Sequence, residues 1–305
     1  MIEVNEVIQA IDEKLTEFLP AAMERLSAPV YTTLFRQVSD PRRVFRSEAM
    51  HAQGRMKEFG QGAPIFEEQP FEGGLVTITP VPIGTAKSWS RSIIEQVLAE
   101  GHDLKSAAEN WVQSYFASRD IQASDMITGS ATGYDGKALF ATDHPVRSKF
   151  NSGGDLDNTN ANAAAATLDA AFLDAILTIH EDTIAYGENG EPIDNFATHL
   201  VATTRAHFSQ IKVLLGSIQK AGTGNNDINP ERGAFTPVYW RRPYNATTQI
   251  YAVTAGQGLL SVERRGFTQE SWYDPNNKSF KASADFEAAC GWNNFRSISR
   301  KRASA

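Results

Sequence analysis

The sequence has little from which a secreted, redox-active or membrane-spanning protein could be built. One cysteine, Cys290, stands among 305 residues, so no disulfide can form within the chain, and the thiol reads as a small core residue. No apolar run approaches the roughly 20 residues that a membrane helix requires. Met1-Ile2-Glu3-Val4-Asn5-Glu6 carries acids where a secretory signal would carry lysine or arginine, so synthesis in a reducing cytoplasm is expected. Positive charge is also in short supply. The 29 Lys and Arg against 36 Asp and Glu leave a net charge of -7, which disfavours a dedicated nucleic-acid binder, since such affinity comes mainly from neutralising phosphates. Loose contact with DNA is not excluded. There is no Gly-x-Ser-x-Gly elbow and no His-Glu-x-x-His, and Gly153-Gly154 lacks the spacing of a phosphate-cradling loop.

What is present suits a soluble globular chain: 41% hydrophobic and 21% charged residues exclude wholesale disorder, and the length allows two domains or one elaborated one. Val4, Val7, Ile8, Ile11, Leu15, Phe18 and Leu19 recur at helical steps and predict an amphipathic helix that Pro20 interrupts. Charge is net acidic to residue 30 and net basic over Arg36, Arg42, Arg43, Arg46, Arg55 and Lys57. Gly and Pro crowd the stretch from Phe59 to Trp89, where Ile65-Phe66 and Leu75 to Thr79 predict a two-stranded excursion. Ser92 and Glu95 read as a capping box for a short helix ended by Gly101. Asp103 is the expected N-cap of a helix of about 20 residues carrying Leu104, Ala107, Ala108, Trp111, Val112, Tyr115 and Phe116.

Later segments read as a helix from Leu168 to Ile184 closed by Gly187, a strand at Leu200 to Ala202, and a helix through Phe208 and Leu215 to Gly216. Strands follow at Val238 to Trp240, Ile250 to Val253 and Leu259 to Val262. Phe280, Ala282, Ala284, Phe286 and Ala288 alternate with Lys281, Ser283, Asp285 and Glu287, the pattern of a strand with one buried face, ended by Gly291-Trp292. The tail from Phe295, with Arg296, Arg300, Lys301 and Arg302, reads as a solvated end that could face DNA or a partner.

A chemical reading of the histidines is available. Asp143 and His144 are adjacent, and His180, Glu181, His199 and His207 follow, so a metal-dependent hydrolase using Asp143, His144 and His180 is one rival reading; a DNA-binding module is another. Ligands on one helix face recur at i and i+3 or i+4, whereas the neighbours His180 and Glu181 point about 100° apart. No catalytic residue, cofactor or metal site is therefore assigned.

The stretch from Gly133 to Pro145 divides the chain. Asp135-Gly136 is turn chemistry, and Pro145 forbids helix at His144. An Asp-Gly pair, an apolar pair and a His-Pro after a long helix resemble a hallmark of the major head subunits of tailed bacteriophages and prophages, including the Mu-like group. Asn225-Asn226-Asp227-Ile228-Asn229-Pro230 and Gly291-Trp292-Asn293-Asn294-Phe295-Arg296 resemble further motifs of the same family, in the same order. The resemblance implies an α+β capsid fold, often named after Hong Kong phage ninety-seven. It implies an N-terminal helix and arm over residues 1–58, an extended loop over 59–87, a peripheral domain with spine helix over 88–166, an axial domain over 167–262, and a return to the peripheral domain with a tail over 263–305. It further implies a virion protein, assembled in the host bacterial cytoplasm, whose copies form pentamers and hexamers of an icosahedral shell. Its implied partners are itself, a scaffolding protein, a portal, a decoration protein and weakly held double-stranded DNA, with no membrane and no enzymatic role.

Overall fold

The computed structural model describes residues 4–48, 74–100, 102–130, 132–141, 144, 159–160, 166–186, 193–218, 228–243 and 248–303. In chain order the helices are α1 (Val4–Arg25), α2 (Tyr31–Leu34), α3 (Ile94–Glu100), α4 (His102–Thr128), α5 (Ala170–Leu177) and α6 (Arg205–Gly216). The strands are β1 (Arg36–Ser39), β2 (Phe45–Glu48), β3 (Leu75–Ile78), β4 (Val81–Ser90), β5 (Thr159–Asn160), β6 (His199–Ala202), β7 (Thr236–Tyr239), β8 (Gln249–Val253), β9 (Leu259–Asp274), β10 (Ser279–Trp292) and β11 (Ile298–Arg302). They form a four-stranded sheet in the order β1-β9-β10-β4, a five-stranded sheet in the order β5-β11-β8-β6-β7, and the pair β2-β3.

The expected apolar face of α1 is present, with Val7, Ile11, Leu15, Leu19 and Ala22 buried. The expected break at Pro20 is not: the helix continues to Arg25. Pro20 lies on the exposed side, and the carbonyl it leaves without an N–H belongs to the equally exposed Thr16, where water can replace the bond. Burial of Leu19 and Ala22 against α4 and β10 holds the helix across that point. The cations of α1 turn the same way, Lys14 Nζ to the Leu98 carbonyl and Arg25 Nη2 to Glu109 Oε1 at 2.8 Å.

Helix α4 has 27 residues and spans about 40 Å, longer than its sequence pattern predicts. It begins at His102, with Asp103 in the first turn rather than at the N-cap, a favourable place for a negative charge. The apolar stripe ends at Phe116 because Arg119 and Asp120, both buried, take the next inward positions before Ala123, Met126 and Ile127 resume it. One half of α4 therefore packs in a core with α1, Trp89 and Phe280, and the other half in a core with Trp240, Tyr251, Trp292 and Phe295. Similarly α3 starts at Ile94 rather than at a Ser92 cap, and the Ser92 hydroxyl lies 3.0 Å from Ser90 Oγ. Gly101 lies outside the described residues.

Strands β9 and β10 form a hairpin paired from Asp274 with Ser279 to Leu259 with Trp292, with a register shift near Glu287. The alternation in β10 is as expected, with Phe280, Ala282, Ala284, Phe286 and Ala288 buried. Strand β4 pairs with β10 along its whole length, Val81 opposite Ala288 and Ser90 opposite Ser279; Pro82 is tolerated because β4 is an edge. Of the expected excursion, Leu75–Ile78 is a strand, but it pairs with Phe45–Glu48; Ile65-Phe66 lies outside the described residues.

In the second sheet, β8 is apolar on both faces, Ile250 and Ala252 facing the core with α5 and α6, Tyr251 and Val253 facing the core with α4. The helix expected from Leu168 to Ile184 is shorter: α5 ends at Leu177 and runs into a π-helical turn at Thr178–Thr183, with Gly187 outside the described residues.

The largest correction concerns the C-terminal tail. Rather than a solvated end, Phe295–Ser297 is a buried turn, and Ile298–Arg302 is strand β11, lying between β5 and β8. Arg296 is 1% exposed, and Lys301 stretches over the Phe172 ring with its ammonium 5.0 Å from the centroid. The charges suggest solvent, but their stems are covered by aromatic rings. Ile298→Ala should therefore cost about 2–4 kcal/mol in urea unfolding, as for a core aliphatic; a change below about 0.5 kcal/mol would indicate a solvated tail.

Candidate functional site

The Asp135-Gly136 turn is built locally. Gly133 N bonds the Lys137 carbonyl at 2.7 Å, Gly136 N bonds the Gly133 carbonyl at 3.1 Å, and Lys137 N donates to Asp135 Oδ1 at 3.0 Å. Gly136 has φ +75°, a conformation that favours glycine. The other carboxylate oxygen of Asp135 meets His144 Nδ1 at 2.5 Å, and His144 Nε2 faces the Leu139 carbonyl at 3.3 Å. Burial opposes the Asp135 charge, but hydrogen bonds from His144 and the Lys137 amide outweigh it and hold the carboxyl below its ordinary range. His144, fully buried, is thus held at both edges of its ring.

The faces of that ring explain why two distant motifs occur together. His144 stacks on Phe295 with centroids 4.0 Å apart and planes 2° from parallel, and meets Trp292 edge-on at 6.3 Å. Tyr134 also packs edge-on against Trp292, at 6.1 Å. A Cβ on Gly133 would fall 2.0 Å from Trp292 Cη2, so no larger residue fits there without moving the indole. The Arg296 guanidinium lies 4.5 Å from the Phe295 centroid and donates through Nε to the Tyr186 carbonyl at 2.7 Å. The connection at 133–144 and the corner at 291–296 are therefore one cluster, placed where β10 leaves the first sheet and β11 enters the second.

The third motif acts elsewhere. Asn229 Nδ2 donates to the Leu214 carbonyl at 2.5 Å and the Ser217 carbonyl at 3.0 Å, and Gly233 N to the Leu215 carbonyl at 3.0 Å. These bonds satisfy carbonyls that the end of α6 leaves without helical partners.

The candidate metal residues are not brought together. Asp143 lies outside the described residues. His144 is in the cluster above, while His180 bonds Ser299 Oγ at 3.1 Å and Thr254 Oγ1 at 2.9 Å. Glu181 accepts from Ala197 N at 3.2 Å, His199 Nδ1 lies 2.9 Å from Thr198 Oγ1, and the backbone of His207 is capped by Thr204. Among the described residues no three His, Cys, Asp or Glu are placed to share a metal ion. Burial pushes the Cys290 thiol up to about 11, against the Arg119 charge and a Ser261 hydrogen bond, which leaves it a poor nucleophile.

A buried polar network went unread in the sequence. Arg119 donates through Nη2 to Ser261 Oγ at 2.7 Å and through Nε to Tyr31 Oη at 3.2 Å; Tyr115 Oη donates to Glu263 at 3.0 Å. Asp120 accepts from Trp240 Nε1 at 3.0 Å and from Tyr31 N at 3.3 Å. The available signal was two charged residues in register with the stripe that runs through Trp111 and Val112. Asp120 also lines an open surface groove with Pro29, Gln113, Phe116, Ala117 and Arg242; what the network does physically is lock α4 to both sheets.

Gly133→Ala tests the cluster. It should cost about 1–3 kcal/mol, the range for overpacking, whereas Gly216→Ala, with open space around the added Cβ, should change stability by no more than about 0.5 kcal/mol. Equal costs in urea unfolding would mean that the contact with Trp292 is not tight.

No protein-family model and no curated protein matches the chain. Solved structures do. A chain of the procapsid of bacteriophage JBD30 aligns with a TM-score of 0.54 at 10% identity, over 98% of this chain and 75% of that one. A chain of Mycobacterium phage Patience aligns at 0.54 and 11% identity, over 100% and 89%. The capsid of a native GTA particle aligns at 0.52 and 12% identity, over 89% of each chain. With identities this low the likeness is one of fold, and it spans nearly the whole molecule: the chain has the α+β fold of tailed-phage capsid subunits.

Proposed function

We propose that the chain is a structural shell subunit, the major capsid protein of a phage head, whose copies close into an icosahedral shell around double-stranded DNA. The observation that carries this reading is the alignment of 98% of the chain with a procapsid subunit. The satisfied, buried state of the Asp135 cluster supports a role in holding shape, with no enzymatic step assigned.

In this reading the stretches 1–58, 59–87, 88–166, 167–262 and 263–305 serve as arm, extended loop, peripheral domain, axial domain and return. The long α4 gives the peripheral domain its spine, and the β9–β10 hairpin completes that domain. Of the loop stretch 59–87, Leu75–Ile78 and the start of β4 are paired within the subunit's own sheets, and residues 59–73 lie outside the described residues. Pentamers and hexamers are the building units, a scaffolding protein and portal direct closure, and a decoration protein binds the finished surface. The net charge of -7 suits weak, non-specific contact with packaged DNA. Its place is the virion, after assembly in the host bacterial cytoplasm.

Negative-stain microscopy of the protein expressed alone and with its scaffold tests this directly. Closed shells or tubes are expected in at least one preparation. A protein that stays monomeric by sedimentation at high concentration, with scaffold present, would overturn the proposal.

A further inference from the structure

The π-helical turn at Thr178–Thr183 has no part in the reading above, and its central side chain is fully buried. Ile184 N bonds the Ile179 carbonyl at 3.1 Å, completing the wide turn. Such turns are uncommon and are frequently found at functional sites. The turn is fastened at two places, through Asn195 before β6 and through the His180 ring. Asn195 Nδ2 donates to the His180 carbonyl at 2.8 Å and to the Arg296 carbonyl at 2.9 Å. The His180 ring bridges Thr254 beyond β8 and Ser299 on β11.

The two hydroxyl partners match a neutral ring, in which one nitrogen donates and the other accepts. Thr254 Oγ1 lies 2.9 Å from both His180 Nε2 and the Phe196 carbonyl and 3.4 Å from Asn195 Oδ1; with its proton turned to either of those oxygens it accepts from Nε2. Nδ1 then carries no proton and accepts from Ser299 Oγ. A second proton on the ring would require the Ser299 hydroxyl to turn from donor to acceptor and would add a buried positive charge. The charged groups on the surrounding elements do not offset it. Glu181 is turned to Ala197 N, and Asp182 on the same turn is exposed. Arg296, Arg300 and Lys301, on and before β11, have the same sign as the new charge and are engaged with Tyr186, Phe140 and Phe172.

We propose that His180 is an acid-released catch: protonation of its ring frees the Thr178–Thr183 turn from β8 and β11 while the rest of the subunit stays folded. The inference concerns the subunit itself and stands whether or not shells form. Burial pushes the ring down to about 4, against 6.5 when it is exposed to water. The opened turn therefore binds more protons than the closed one between these values, so opening becomes more favourable as pH falls through that window and is unaffected above it. Glu181, raised by burial, is linked in the opposite sense and cannot imitate the effect. His199, lowered by burial, acts in the same sense on β6, so a His180 variant is needed to isolate the catch.

The test is hydrogen exchange of the full chain at neutral pH and at about pH 4.5, corrected for intrinsic rates. Protection of the amides from Ile179 to Ile184 should fall roughly 50-fold while those around Val112 in α4 hold, and His180→Asn should remove the difference. Unchanged protection, or the same fall in the variant, would overturn the proposal. Should the variant not fold, magnetic-resonance titration of the wild-type ring decides: a midpoint below about pH 5.5 supports the catch, and one above it refutes it.

Discussion

The constraint on which the fold depends is the corner between β10 and β11, where the chain passes from one sheet to the other through buried ground. An unpaired buried group costs roughly 1–3 kcal/mol, and apart from Asn293 Oδ1, which has no hydrogen-bond partner among the described residues, the corner meets that demand largely with internal bonds. Asn293 N bonds the Gly258 carbonyl at 2.8 Å, Asn294 Oδ1 accepts from Arg296 N at 3.0 Å, Ser297 Oγ donates to the Asn294 carbonyl at 2.8 Å, and Thr254 N bonds the Ser297 carbonyl at 2.9 Å. Aromatic contacts then fix the corner from outside: His144 on Phe295, Tyr134 against Trp292, and Arg296 over Phe295. Because the His144 ring is itself held by Asp135, the order at 133–144 and the order at 291–297 are conditions for each other.

Helix α4 extends the same logic across the molecule. A helix with only apolar inward residues could slide along a core, whereas Arg119 and Asp120 fix its register through geometric hydrogen bonds to Ser261, Tyr31 and Trp240. Its two halves lie in different cores. Displacement at one sheet therefore reaches the other through packed side chains rather than through a loose linker.

The legible parts of the sequence were those where one face is buried and the other wet. The stripe of α1, the helix α6 and the alternation in β10 all follow from that asymmetry. Where both faces of a strand meet similar surroundings, the pattern fades: β9 continues to Asp274 through Glu263, Arg264, Arg265 and Glu270, which ion pairs and exposed faces accommodate. Pro20 misled because the cost of a proline depends on which side of the helix loses the bond. The tail misled because arginine and lysine stems can lie on aromatic rings. At the cluster, turn chemistry disclosed Asp135-Gly136 and the family resemblance disclosed the company of Trp292 and Arg296; that His144 and Phe295 stack could be read from neither, because contacts between residues 151 positions apart leave no local trace.

The two sheets form one cooperative unit joined at the corner, and native-state hydrogen exchange on Phe295→Ala tests that most directly. Phe295 is 1% exposed, so its truncation should lower stability by about 3–5 kcal/mol. The opening free energies of Ala282 in β10 and Ala252 in β8 should then fall by the same amount. Loss of protection at Ala252 with Ala282 unchanged would contradict the account and make the sheets separate folding units.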